Sequence, residues 1–135
     1  HSPVEGRITS WRHLPGRLFP VNALAVRHVE SLFAVNERVA VFFDTDDLGP
    51  VAVVLVGATN VGRISLAFAS LVTNTGEAAG LVVPGEPIPM KRGEELGAFN
   101  LGSTVVLLAA NGALRPAGVE SGARVRMGEP LWRLP

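Results

Sequence analysis

Two apolar runs separated by one acidic turn do most to limit how this chain can fold. Arg38-Val39-Ala40-Val41-Phe42-Phe43 is rich in β-branched and aromatic residues, the types that fit a pleated, half-buried surface. Residues 51–56 form a short uncharged apolar run, the pattern of a buried strand. Asp44-Thr45-Asp46-Asp47-Leu48-Gly49-Pro50 lies between them and collects turn formers. Together the three pieces predict a β-hairpin with a longer loop. Residues 61–71 predict a further strand, because Ile64, Leu66 and Phe68 alternate with Arg63, Ser65 and Ala67. Residues 96–101 and 104–109 predict two more, meeting at Gly102-Ser103.

Other segments carry weaker patterns. Residues 73–89 hold Gly76, Gly80, Pro84, Gly85, Pro87 and Pro89 and predict a loop excursion. Asn111-Gly112 and Gly128-Glu129-Pro130 signal turns in the tail. One helix is predicted, over residues 23–28, with Asn22 as its N-cap. The fold class expected is mainly β: a compact β-sandwich or barrel-sandwich-like domain over residues 1–135, with at most one or two short helices.

Composition narrows the function classes. The 135 residues are 47% apolar and 18% charged, which supports one domain with a packed core. Twelve basic residues balance twelve acidic ones, so the basic excess of a nucleic-acid binder is lacking. The absence of cysteine rules out disulfides and thiolate metal sites. No run approaches the roughly 20 apolar residues of a membrane-spanning helix. The chain opens on His1-Ser2-Pro3 without initiator methionine or signal-peptide pattern, and so reads as a fragment of a longer protein. The tail's Gly-x-x-Val-x-x-Gly-like spacing is similar to biotinyl carrier domains. However, the one lysine, Lys91, lies outside it.

Chemistry concentrates in Leu101-Gly102-Ser103-Thr104. The Ser103 hydroxyl is placed to attack the carbonyl of Gly102, and glycine offers no side chain to obstruct it. Most such triplets are simply turns. Three more segments accompany this one: His1-Ser2-Pro3-Val4-Glu5-Gly6; Leu18-Phe19-Pro20-Val21-Asn22 with Leu32-Phe33-Ala34-Val35-Asn36-Glu37-Arg38-Val39; and Val56-Gly57-Ala58-Thr59-Asn60-Val61-Gly62. In this order they resemble the phosphatidylserine decarboxylase family, and the resemblance runs from His1 to Leu131.

The resemblance implies self-cleavage between Gly102 and Ser103 into residues 1–102 and 103–135. It further implies a pyruvoyl group derived from Ser103 as the cofactor, phosphatidylserine as substrate and phosphatidylethanolamine as product. A peripheral membrane location on the cytoplasmic face is implied too, as are partner roles for a membrane surface, a missing N-terminal segment and a possible homodimer. His1 aligns with the histidine of the family's Asp-His-Ser triad and is the candidate base. The triad's aspartate lies upstream of this segment in the family, and this sequence offers none there.

Each remaining candidate has two readings. Thr104 either supports an oxyanion or merely opens a strand. Phe19 and Val21 either line a substrate pocket or fill the core. Asn22 either meets a head group or caps its helix. His13 and His28 compete weakly as bases; His13 is expected exposed on a loop. Trp11 and Trp132 are expected at a lipid interface. Asp44, Asp46 and Asp47 lack the rest of a calcium loop. Two alternatives to the phospholipid decarboxylase stay open: a decarboxylase of a soluble amine acid, and an unprocessed, inactive β-domain.

Overall fold

A computed structural model describes residues 1–59, 62–75, 80–100, 102, 104–109 and 115–133. The largest sheet is built on β1 (Gly6–Leu14), β2 (Arg38–Thr45), β3 (Gly49–Val56) and β8 (Thr104–Ala109), each antiparallel to the next. The short β5 (Leu81–Val82) and β6 (Ile88–Met90) both pair with the outer edge of β1. A second, two-stranded sheet joins β4 (Ile64–Leu66) to β7 (Gly97–Phe99). A third pairs β9 (Arg115–Pro116) with β10 (Trp132–Arg133). The sheets are open rather than closed into a barrel. Two short helices, α1 (Ala23–His28) and α2 (Leu32–Val35), lie between β1 and β2. The mainly β class with two short helices is as the sequence predicts.

Strand alternation explains the core. Every second residue of a strand faces the same side. In β2 these are Val39, Val41 and Phe43; in β3, Val51, Val53 and Leu55; all are buried. Register then lines them up in rows across the sheet. Trp11, Val41, Val53 and Leu107 form one row, and His13, Val39, Leu55 and Val105 the next. The small β4–β7 sheet contributes Ile64 and Leu66 to the same core, with Leu71, Met90 and Leu96 around it.

The hairpin is tighter than expected. β2 runs on to Thr45 and β3 starts at Gly49, so Asp46, Asp47 and Leu48 alone make the connection. The Thr45 hydroxyl bonds Gly49 O at 2.9 Å and accepts from Leu48 N at 3.0 Å, so one side chain closes the turn.

Several expectations are corrected. The strand predicted over residues 61–71 is confined among described residues to β4. Beyond Leu66 the chain doubles back, and Leu66 N donates to Leu71 O. Thr73 N donates to Ile64 O, and Thr73 Oγ1 accepts from Ile64 N. The fold-back swings Phe68 against Trp11, with ring centroids 5.3 Å apart and planes at 82°. Trp11 is therefore a core residue and not an interfacial one, while Trp132 is partly exposed. The predicted loop over 73–89 holds β5 and the start of β6, which runs on to Met90 with Pro89 inside it. The predicted strand over 96–101 is β7 alone among described residues. Asn60, Val61, Gly76, Leu101, Ser103 and the Asn111-Gly112 turn lie outside the described residues. Among described residues, no helix is long and apolar enough to cross a membrane.

Candidate active site

Among the described residues β8 is an edge strand, and its first residue, Thr104, pairs with Val56 at the end of β3. Gly102 stands two residues before Thr104. It is exposed and has φ +65°, in the left-handed region. Residues with a Cβ enter that region at a cost of roughly 1–2 kcal/mol. Glycine therefore holds this conformation, at a position between β7 and β8, without that cost. Ser103, the candidate nucleophile, lies outside the described residues.

One buried amide organises the neighbourhood of Thr104. Asn36 is fully buried and sits between α2 and β2. Its Oδ1 accepts from Phe19 N at 3.0 Å. Its Nδ2 donates to Phe19 O and to Gly57 O, both at 2.9 Å. Three segments that are distant in sequence are thereby joined: the Phe19 stretch, the approach to β2, and the turn after β3. Backbone bonds reinforce the joint. Arg17 N donates to Val35 O, Glu37 N to Arg17 O, and Gly57 N to Glu37 O. Thr59 Oγ1 closes the far side by donating to Leu18 O. Gly57 follows Val56, so this assembly abuts the ladder position that holds Thr104.

The sequence-predicted site residues fall in two places. Phe19 is part-exposed and tied through Asn36 to Gly57, while Val21 is half-buried nearby in the chain. Asn22 caps α1: its Oδ1 accepts from Ala25 N at 2.9 Å. His1 is elsewhere. Its ring is exposed and bonds to no described side chain, but its neighbour is clasped. Ser2 N donates to Glu94 O, Gly93 N donates to Ser2 O, and Ser2 Oγ bonds Val4 O at 2.7 Å. β1 begins at Gly6, beside Asp44 and Thr45. That is the end of the sheet opposite the Val56–Thr104 pair.

His13 departs furthest from expectation. It lies in strand β1 and is 5% exposed, because its row of the sheet faces the core. Its Nε2 meets Oε1 of the equally buried Glu37 at 2.9 Å. Three strand spacings of about 4.8 Å separate His13 from the β8 residue in its row, so it stands about 14 Å from Val105. That is beyond direct proton transfer to the start of β8. His28 is exposed in the last turn of α1. Asp44 and Asp46 face Arg7 at 3.9 and 3.2 Å in exposed pairs. Among described residues, no three histidine or carboxylate side chains gather as metal ligands.

Asn36, Glu37 and the His13 pairing carry structural roles that the sequence alone does not reveal. The available signal was a polar Asn-Glu pair wedged between an apolar stretch and a strand. Its partners, 17, 21 and 24 residues away, are not visible locally.

Comparison with known proteins places the chain. The model of the phosphatidylserine decarboxylase family matches residues 1–133. A phosphatidylserine decarboxylase proenzyme of Anaeromyxobacter sp. (strain K) is 47% identical over 135 residues, covering 97% of this chain and 48% of its own length. That of Halorhodospira halophila is 50% identical over 138 residues, covering 99% and 46%. That of Brevibacillus brevis is 42% identical over 134 residues, covering 97% and 48%. The chain belongs to the phosphatidylserine decarboxylase family. It spans about half the length of the curated relatives it matches.

Proposed function

We propose that this chain is the catalytic part of an enzyme that removes the carboxyl group of phosphatidylserine after cutting its own backbone between Gly102 and Ser103. The observation that carries the reading is Gly102. An exposed, left-handed glycine ends the connection into an edge strand, within Leu101-Gly102-Ser103-Thr104, in a member of this family. The proenzyme names of the relatives agree with a precursor that is processed.

The cut follows from the chain's own groups. Ser103 Oγ attacks the Gly102 carbonyl carbon, the C–N bond breaks, and an ester replaces the amide. A serine hydroxyl needs a base to take its proton. His1 is the base that the resemblance implies, but the clasp on Ser2 holds it at the end of the sheet opposite Thr104, too far away to take that proton directly. Removal of the Ser103 Cα proton then expels the Gly102 carboxylate. The resulting dehydroalanine end takes up water and loses ammonia, leaving a pyruvoyl end on residues 103–135. Thr104, fixed by its ladder pairing with Val56, is proposed to donate to the oxyanion at Gly102.

The exposed, left-handed backbone at Gly102 suits the cut that forms a pyruvoyl group at residue 103, because glycine brings no side chain of its own beside the carbonyl to be attacked. The pyruvoyl group supplies an electron sink for the charge left when carbon dioxide departs. Phe19 and Val21 are proposed to line the approach for the substrate, held in place by the Asn36 joint. Asn22 already caps α1, which favours a shaping role over direct contact.

Intact mass under denaturing conditions tests the reading. Two pieces ending at Gly102 and starting at residue 103 are expected, the smaller lighter by one ammonia than its serine-ended sequence. A single uncut species of 14.2 kDa would overturn self-cleavage.

A further inference from the structure

The buried pair His13–Glu37 has no part in the chemistry just described, yet it is an expensive feature to bury. Ionisable side chains are seldom fully buried without a partner. Replacing both partners of a buried hydrogen bond by apolar groups of similar shape can be nearly neutral or stabilising. Stability alone therefore gives a poor reason for placing a histidine and a carboxylate here.

Their location suggests another. His13 is anchored in β1, where it is paired with Val39 of β2. Glu37 lies outside any strand, on the short link between α2 and β2. Its backbone carries both sides of the joint beside Gly57: its N donates to Arg17 O and its O accepts from Gly57 N, each at 2.8 Å. The 2.9 Å contact between Nε2 and Oε1 is what ties that link to the sheet interior through a side chain. Val56, one residue before Gly57, holds Thr104.

We propose that His13 and Glu37 are positioning residues for self-cleavage. Their buried hydrogen bond fixes the Glu37–Gly57 backbone bond, and with it the register of Val56 against Thr104 at the bond to be cut. The inference rests on the self-cleavage reading above. It predicts a kinetic effect without a stability effect, since small displacements of reacting groups slow a reaction steeply while leaving the fold intact.

The test compares rates of chain cleavage by intact mass with thermal midpoints, for the wild-type chain and its variants. H13L/E37L replaces the pair by apolar side chains of similar size. It is expected to melt at or above the wild-type midpoint and to cut about tenfold more slowly or worse. H13Q, whose amide reaches Glu37 as a donor, is expected to restore most of the rate. Wild-type cleavage in H13L/E37L would overturn the proposal, as would an H13Q rate no faster than that of H13L/E37L. Should H13L/E37L fail to fold, H13N takes its place against H13Q. The shorter amide falls short of Glu37, and equal rates for the two would overturn the proposal. An uncut wild-type chain would overturn the self-cleavage reading and this inference together. A cut wild type with equally cut variants would overturn this inference alone.

Discussion

Replacing Asn36 by alanine removes a side chain that is fully buried and makes three hydrogen bonds, to Phe19 N, Phe19 O and Gly57 O. A typical buried hydrogen bond contributes about 1 kcal/mol net, and a buried group left without a partner costs about 1–3 kcal/mol. Gly57 O is buried with Asn36, whereas the Phe19 groups are only part-buried and can recruit water. The expected loss is therefore about 3–4 kcal/mol. For a domain of this size that corresponds to roughly 10 °C in thermal midpoint. Urea unfolding followed by circular dichroism gives the free energy directly. Fluorescence of Trp11, which lies in the core against Phe68, gives a second probe of the same transition. Asn36→Asp supplies the control. It keeps an acceptor for Phe19 N, loses both donors, and sets a carboxylate against two carbonyl oxygens, so it should destabilise at least as much. A loss below about 1 kcal/mol for Asn36→Ala would refute the claim that this amide joins the three segments.

Three further outcomes follow from single positions. Gly102→Ala forces a Cβ into the left-handed region at φ +65°, and should cost about 1–2 kcal/mol and slow cleavage in an intact-mass time course. Gly16→Ala would drive its Cβ against Val35 O and to 2.7 Å from both Asn36 C and Glu37 N. Overpacking against backbone should lower stability by about 1–3 kcal/mol, measured by urea unfolding. Arg7→Ala breaks only exposed pairs to Asp44 and Asp46, so its stability should stay within about 0.5 kcal/mol of wild type and hardly respond to salt.

What could be read from the sequence depended on how local its cause was. The β2–β3 hairpin was legible because β2 is rich in β-branched and aromatic residues, β3 is a short unbroken apolar run, and the turn formers lie between them. α1 was legible from its cap, since Asn22 bonds within its own first turn. β8 was legible as an apolar run, and Gly102 as a turn residue. β1 was not. It carries Arg7, Arg12 and His13, and a register shift between Ile8 and Ser10 breaks the period of two that would have betrayed it. His13 reads as a surface residue until Glu37 is seen beside it, 24 positions on. Residues 61–71 failed for the opposite reason. Their alternation persists through Phe68, but the chain folds back after Leu66 and gives Phe68 to Trp11 instead of a ladder. At the candidate site, the motif that carries the cut was visible. The Asn36 joint beside it was not, because its partners come from segments brought together only by the tertiary fold.

The place of β8 at the rim of the largest sheet has a topological consequence. β1, β2 and β3 are consecutive in space and in sequence, and all three lie upstream of Gly102. A break between Gly102 and Ser103 would leave that trio covalently whole and, of the largest sheet, detach only a border strand, held by its rungs to β3. The two pieces would then relate as a frame and an insertable slat. Residues 103–135 supplied as a separate peptide would have a preformed sheet edge to dock against, because no interior strand has to be threaded back between its neighbours.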